Sequence, residues 1–317
     1  MGVGDVGVLM KAMFVKMSQW FNPFRNRIVN PSNHSIMKTT QLIWIGAGMV
    51  ALALSACNKE ETRVATSDEV RSESILDMVE RAVEEPVDAL TLRGGGGADC
   101  GEGGMPWPDC VEITDSGEGV YPRTIIVDFG EDCFTPSGLQ RTGVIEIELT
   151  GDVRNEEGAI RTVTFNDLSF GSTTTVNGTR ELTNTGQNED GLWTFAQETA
   201  IEVNRPNMDI TRTYTGTRIW LAGHDTEACG DDIWQRDGEG QKSLTNGFGQ
   251  PATVTVTYDA VVHDRPCGYP VSGTVTLVRN LFERIMDFGD GTCDALAEVT
   301  INGNTYLFDL ESHEIIE

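Results

Sequence analysis

From Cys110 onward, apolar and polar residues alternate with a period of two, and this alternation sets what the chain can fold into. Ile145, Ile147 and Leu149 point one way while Glu146 and Glu148 point the other; Val254, Val256 and Tyr258 alternate with Thr255 and Thr257. A period of two is that of a strand with one buried and one wet face, an arrangement that antiparallel sheets permit. Segments rich in Thr, Val, Ile and aromatics, bounded by Gly, Asn and Asp, predict strands at 123–130, 143–153, 159–170, 173–183, 192–203, 208–221, 252–263, 271–280, 283–289, 297–301 and 305–310. Asn-Gly at 177–178, 246–247 and 302–303 and Asp-Gly at 190–191 and 237–238 carry hairpin-turn chemistry. The expected fold is all-β: an antiparallel meander of long hairpins, forming a sandwich or an extended, strongly curved sheet, in one large or two smaller domains with nothing like a linker between them.

Seven cysteines punctuate the chain. With Cys57 set aside, Cys100, Cys110, Cys133, Cys229, Cys267 and Cys293 remain, an even number that outside the cytoplasm predicts three disulfides among 15 pairings. A repeated block narrows the choice. Ile126-Val127-Asp128-Phe129-Gly130-Glu131-Asp132-Cys133 resembles Ile285-Met286-Asp287-Phe288-Gly289-Asp290-Gly291-Thr292-Cys293, and each block follows a further cysteine, Cys110 or Cys267, by a similar distance. If the blocks are equivalent, Cys110 pairs with Cys133 and Cys267 with Cys293, which leaves Cys100 for Cys229. Zinc is the competing use, but no pair has the close Cys-x-x-Cys spacing of structural zinc sites and His is scarce. Each bridge would add about 3 kcal/mol. The kinase triplet Asp-Phe-Gly stands in both blocks without the other kinase motifs. A local reading fits better: Phe129 and Phe288 pack inward, Gly130 and Gly289 let the chain turn, and Asp128 and Asp287 accept backbone hydrogen bonds.

The N-terminal region predicts an address. An apolar run from Leu42 to Ala56, preceded by Lys38 and rich in small residues, is too short to span a bilayer and reads as the h-region of a signal peptide over 37–56. Residues 1–36 precede a good start at Met37-Lys38 and read as an overextended gene start. Leu54-Ser55-Ala56-Cys57 resembles the bacterial lipobox, which implies diacylglyceryl attachment to the Cys57 thiol and cleavage just before it. Asn58-Lys59-Glu60-Glu61 resembles the export signal that sends lipoproteins of the Bacteroidota to the outer face of the outer membrane. With the Asp-Phe-Gly…Cys blocks near both ends of a β-domain, the chain resembles uncharacterised surface lipoproteins of that phylum. The resemblance implies an outer-membrane, lipid-anchored protein facing the cell exterior and supplies no activity.

Cleavage before Cys57 removes five basic residues and one acidic from totals of 23 and 49, so the mature chain carries a net charge of −30. Such a chain repels phosphate backbones and anionic headgroups, which excludes nucleic acid as a partner and leaves the lipid as the anchor. Residues 57–105 read as a tether ahead of a disulfide-stapled β-domain at 106–317. Within the tether, Thr66-Ser67-Asp68-Glu69 fits a capping box, and Val70, Ile75, Leu76, Val79, Ala82 and Val83 recur at helical spacing until Pro86. That short helix either packs on the domain or stays loose. The glycines at 94–97, 101, 103 and 104 follow no strand and lack the Lys-Ser/Thr of a phosphate loop, so they read as a hinge.

Catalytic constellations are sparse. There is no Gly-x-Ser-x-Gly and no His-Glu-x-x-His, and the mature chain has only His224, His263 and His313. Asp225, Glu227, Asp231 and Asp232, and separately Asp290 and Asp294, are oxygen-rich and could hold calcium, without the spacing of an EF-hand loop. No other cofactor is expected. Trp107, Trp193, Trp220 and Trp234 could stack on sugar rings. The expected function is a non-catalytic binding or structural module whose ligand is a glycan or another extracellular polymer. The alternative is a carbohydrate-active enzyme using paired carboxylates, which 48 acidic residues cannot discriminate. Oligomeric state is left open.

Overall fold

In a computed structural model, residues 68–83, 87–88, 90–92, 110–117, 119–134, 138, 140–171, 173–226, 231–246 and 251–316 are described. The signal peptide, Cys57, the export signal, the glycine hinge, Trp107, Cys100, Glu227 and Cys229 lie outside them.

Period-two alternation becomes strands throughout. In chain order these are β1 (Glu112–Asp115), β2 (Arg123–Asp128), β3 (Cys133–Phe134), β4 (Gln140–Leu149), β5 (Ile160–Phe170), β6 (Thr174–Gln187), β7 (Trp193–Arg205), β8 (Met208–Ala222), β9 (Ile233–Asn246), β10 (Pro251–Asp264), β11 (Pro270–Arg279), β12 (Phe282–Asp290), β13 (Leu296–Ile301), β14 (Asn304–Asp309) and β15 (Glu314–Ile315). All pair antiparallel in one open sheet that follows the chain order, except that β2 and β3 both pair with β4. The meander is therefore a single extended sheet, and the sandwich alternative is not the form it takes. The described residues all fall within one compact unit, Glu60–Glu317.

One helix, α1 (residues 68–83), lies against the inner face, and residues 87–88 and 90–91 are helical as well. Its apolar residues Ile75, Leu76, Val79 and Val83, with Val87 and Leu92, share a core with Ile125, Ile147, Val163, Leu182, Phe195 and Trp220. Val70 belongs to a second core with Leu244, Val254, Val275, Met286 and Phe308. Strands from β2 to β14 thus pack on one short helical segment, so the sheet curls around it. The packed alternative for the helix is realised, and Ile75, Leu76, Val79, Val83, Val87 and Leu92 are core and not tether.

The outward face is polar. A register row runs Glu148, Thr162, Glu181, Glu198, Thr215, Glu239, Thr257 and Thr276 across β4 to β11. Four carboxylates in that row suit water and not hydrocarbon.

Two turn expectations are corrected. Asn177-Gly178 lies inside β6 and Asp237-Gly238 inside β9, with pairing continuing through both. A Cβ on Gly178 would stand 2.2 Å from the Ala200 carbonyl oxygen, and one on Gly238 would stand 2.5 Å from Gly216 Cα. These glycines permit close strand approach within a bent sheet, which the same dipeptide signals as readily as a turn. β9 is absent from the expected strands because the middle of its inward face, between Trp234 and Leu244, holds Arg236, Gly238, Gly240 and Lys242 where apolar residues would announce a strand.

The repeated blocks are built as their sequence suggests. Phe129 and Phe288 are buried. The Gly130 N–H donates to Asp128 Oδ1 at 2.8 Å and the Gly289 N–H to Asp287 Oδ1 at 2.9 Å. Cys110 is bonded to Cys133 and Cys267 to Cys293, with Cα separations of 5.3 and 5.6 Å.

Candidate functional site

On α1, Glu69, Glu73, Asp77 and Glu80 recur at spacings of four, four and three, which stacks them along one side of a helix. Asp88 follows in the next helical stretch. Four of these five carboxylates, those of Glu69, Glu73, Glu80 and Asp88, are buried. They meet cations presented by β5, β6, β8, β9, β11 and β12.

Glu69 takes Arg279 at 3.0 Å and Arg284 at 2.8 Å. Thr66 and Ser67 of the expected capping box lie outside the described residues; the Glu69 carboxylate faces the sheet. Glu73 accepts from Lys242 Nζ at 2.9 Å and from the Tyr258 hydroxyl. Asp77 lies 3.1 Å from Arg81 Nε, 3.5 Å from His263 Nε2 and 3.8 Å from Arg236. Glu80 holds three guanidiniums: Arg180 at 3.2 Å, Arg212 at 2.7 Å and Arg236. The Arg212 contact is off the donor axis and is Coulombic, while Arg236 donates a hydrogen bond. Asp88 accepts from Arg161 at 2.6 Å and Arg218 at 2.8 Å.

Cross-strand register explains why these acids are needed. Arg212 stands directly opposite Lys242, and Arg218 directly opposite Arg236, on adjacent strands of the inner face. Like charges so placed repel. The α1 carboxylates between them neutralise the repulsion, and Tyr258 and Trp234 add ring faces 4.3 Å from Arg236 and 3.5 Å from Arg218.

The fields are visible in proton affinities. Burial pushes the Glu80 carboxyl up, but Arg212, Arg236 and Arg180 together outweigh it and hold its pKa down to about 2. Asp88 is likewise buried yet held well below the usual range by Arg218 and Arg161. Burial lowers Lys242 against the opposing pull of Glu73. His263 is pushed down to about 4 by burial, against Asp77, and is neutral at pH 7. Its Nδ1 has no hydrogen-bond partner among the described residues.

Two cavities adjoin the ladder. One of about 70 Å³ lies among Asp88, Arg218, Trp234, Arg236, His263 and Arg265. The other, of about 150 Å³, lies between α1 and β10 to β12 and is lined by Ser74, Tyr258, Tyr269, Met286, Phe288 and His313, with Ser74 Oγ 2.8 Å from His313 Nδ1. A third, shallow depression of about 480 Å³ opens on the outward face around Ala200, rimmed by Asn177, Glu202, Thr211, Thr213, Gln241 and Ser243.

The residues singled out from sequence are placed otherwise than as one site. Trp220 and Trp234 are buried and stacked with centroids 4.4 Å apart, so neither offers a face to a sugar. Trp193 is half-buried and stacks on His224 at 5.2 Å. Asp232 is buried, accepting from Trp220 Nε1 at 3.0 Å and Arg265 at 2.8 Å. Asp231 accepts from the Thr226 hydroxyl, and exposed Asp225 pairs with His224. Asp290 and Asp294 accept local hydrogen bonds from Thr292 and Leu296. Among the described residues, no three His, Cys, Asp or Glu come together in a metal-sized group.

The acid–cation ladder is absent from the sequence expectations, although it has a sequence signal: carboxylates at helical spacing, and basic residues in the inward phase of strands in an otherwise acidic chain. No protein-family model, curated protein or solved structure matches the chain.

Proposed function

We propose that the chain is a surface-exposed, lipid-anchored, non-catalytic binding module whose ligand is a glycan or another polyhydroxylated extracellular polymer. The observation that carries the ligand class is the outward depression around Ala200. Its size falls within the range of ligand sites, and its rim of hydroxyl, amide and carboxylate groups matches the donors and acceptors of a sugar. The charged groups of the interior are engaged with one another, which leaves the outward face and the loops for contact. The lipid anchor rests on the Leu54-Ser55-Ala56-Cys57 resemblance, and the Cys57→Ser variant is expected to accumulate as an unprocessed or soluble product.

A glycan-array and polysaccharide-hydrolysis screen on the chain from Glu60 onward tests this reading. Binding without turnover is expected, and Ala200→Trp, which fills the depression, should abolish binding while leaving the fold intact. Turnover of any polysaccharide contradicts the non-catalytic reading. Binding that survives Ala200→Trp contradicts the site.

A further inference from the structure

We propose that the inner face of the sheet is a receptor for an acidic helix, and that the occupant it takes in trans is the 68–91 segment of a second copy of this chain. Three observations lead there, none of them dependent on the glycan reading.

First, recognition is by charge and register. Glu69, Glu73, Glu80 and Asp88 are matched by Arg279 and Arg284, Lys242, Arg180 with Arg212 and Arg236, and Arg161 with Arg218. Few helices carry that spacing of carboxylates, and a second copy carries it by definition. Second, the sheet is stapled by Cys110–Cys133 and Cys267–Cys293, whereas no cysteine lies between Cys57 and Cys100. The hold on residues 68–92 within the described structure is therefore non-covalent. Third, 17 residues separate Leu92 from Cys110 and seven of them are glycine. Extended, they reach roughly 55 Å when Cys100 is reduced, enough to seat the helix in a neighbouring sheet; a Cys100–Cys229 bridge would leave only residues 93–99 to extend, roughly 25 Å, so the exchange is tested on chains carrying Cys100→Ser and Cys229→Ser. An exchanged dimer keeps every buried ion pair of the monomer, so the helix leaves one sheet only as another supplies its charges. The linked helix competes at an effective concentration of the order of millimolar, so exchange belongs to crowded chains.

Charge reversal tests this on the chain from Glu60 onward. Variant one carries Glu73→Lys and Glu80→Lys; variant two carries Arg212→Glu and Arg236→Glu. Each places like charges together in cis and should refold poorly alone. Refolded together, they restore opposite charges at both helix–sheet contacts only by exchanging helices, so a 1:1 heterodimer of twice the monomer mass is expected. A chain carrying all four substitutions is the control for tolerance of the reversed pairs. If that control folds and the mixture yields no heterodimer, the proposal is overturned. If the control does not fold, the decision passes to chains carrying only Cys100→Ser and Cys229→Ser, labelled with a donor at exposed Arg71 and an acceptor at exposed Thr257 and mixed near millimolar concentration. Slow growth of intermolecular transfer that persists on dilution supports exchange, and its absence overturns it.

Discussion

At Glu80 three guanidiniums converge on one buried carboxylate, and the consequences are measurable. Removing that charge leaves Arg180, Arg212 and Arg236 facing one another with only the more distant carboxylates of Asp77, 3.8 Å from Arg236, and Glu73, 3.9 Å from Arg212. Glu80→Gln is therefore expected to lower stability by about 3 to 5 kcal/mol in urea unfolding, and a loss under 1 kcal/mol would contradict the ladder. The pH dependence has a definite sign. Glu80 is depressed from 4.5 to about 2, so the unfolded chain binds the extra proton between those values. Its contribution, about 3 kcal/mol, is present above pH 4.5 and lost as pH falls toward 2. His263 acts in a higher window: depressed from 6.5 to about 4 by burial, it takes up a proton on unfolding, so stability falls as pH drops from 6.5 to 4. Thermal melts across that window should show the decline, and His263→Gln should reduce it, leaving the share of His313, which burial also lowers, and the Glu80 limb below pH 4.5.

At the scale of elements, legibility followed how closely each inward face kept to apolar residues. β4 and β10, with Ile145, Ile147 and Leu149 or Val254, Val256 and Tyr258 inside, stand close to where alternation places them. β9 is as regular as its neighbours but between inward Trp234 and Leu244 carries Arg236, Gly238, Gly240 and Lys242, so the apolar alternation that marks a strand is broken over its middle. The same substitution of charge for apolarity hid the second buried side of α1: the stripe of Ile75, Leu76, Val79 and Val83 was legible, while the acidic stripe read as solvated. A glycine between strand-forming residues is ambiguous between a turn and a close approach of strands, and Gly178 is a close approach. Its Cβ-free contact with the Ala200 carbonyl predicts that Gly178→Ala destabilises the domain by about 2 kcal/mol or more, by strain at a positive φ of 126° and by backbone crowding. A Gly178→Ala chain as stable as wild type in urea would contradict the close approach.

For the whole molecule, the disulfides close both ends of the meander and α1 fills its middle. The pairing of Cys110 with Cys133 and Cys267 with Cys293 was legible because the two blocks repeat; the ladder was not, because it joins residues such as Glu69 and Arg284 that only the curled sheet brings together. Replacing Cys267 and Cys293 by Ala should cost about 3 kcal/mol while leaving the ion pairs of Glu80 in place. What unites the architecture is the claim that residues 68–83 are an interior element and not part of a tether. Amide hydrogen exchange on the intact chain measures this directly. The amides of residues 72–83 are expected to exchange as slowly as those of β8 and β9, by opening with the whole domain. Exchange of those amides at the rate of an unstructured peptide, while β8 and β9 remain protected, would contradict it.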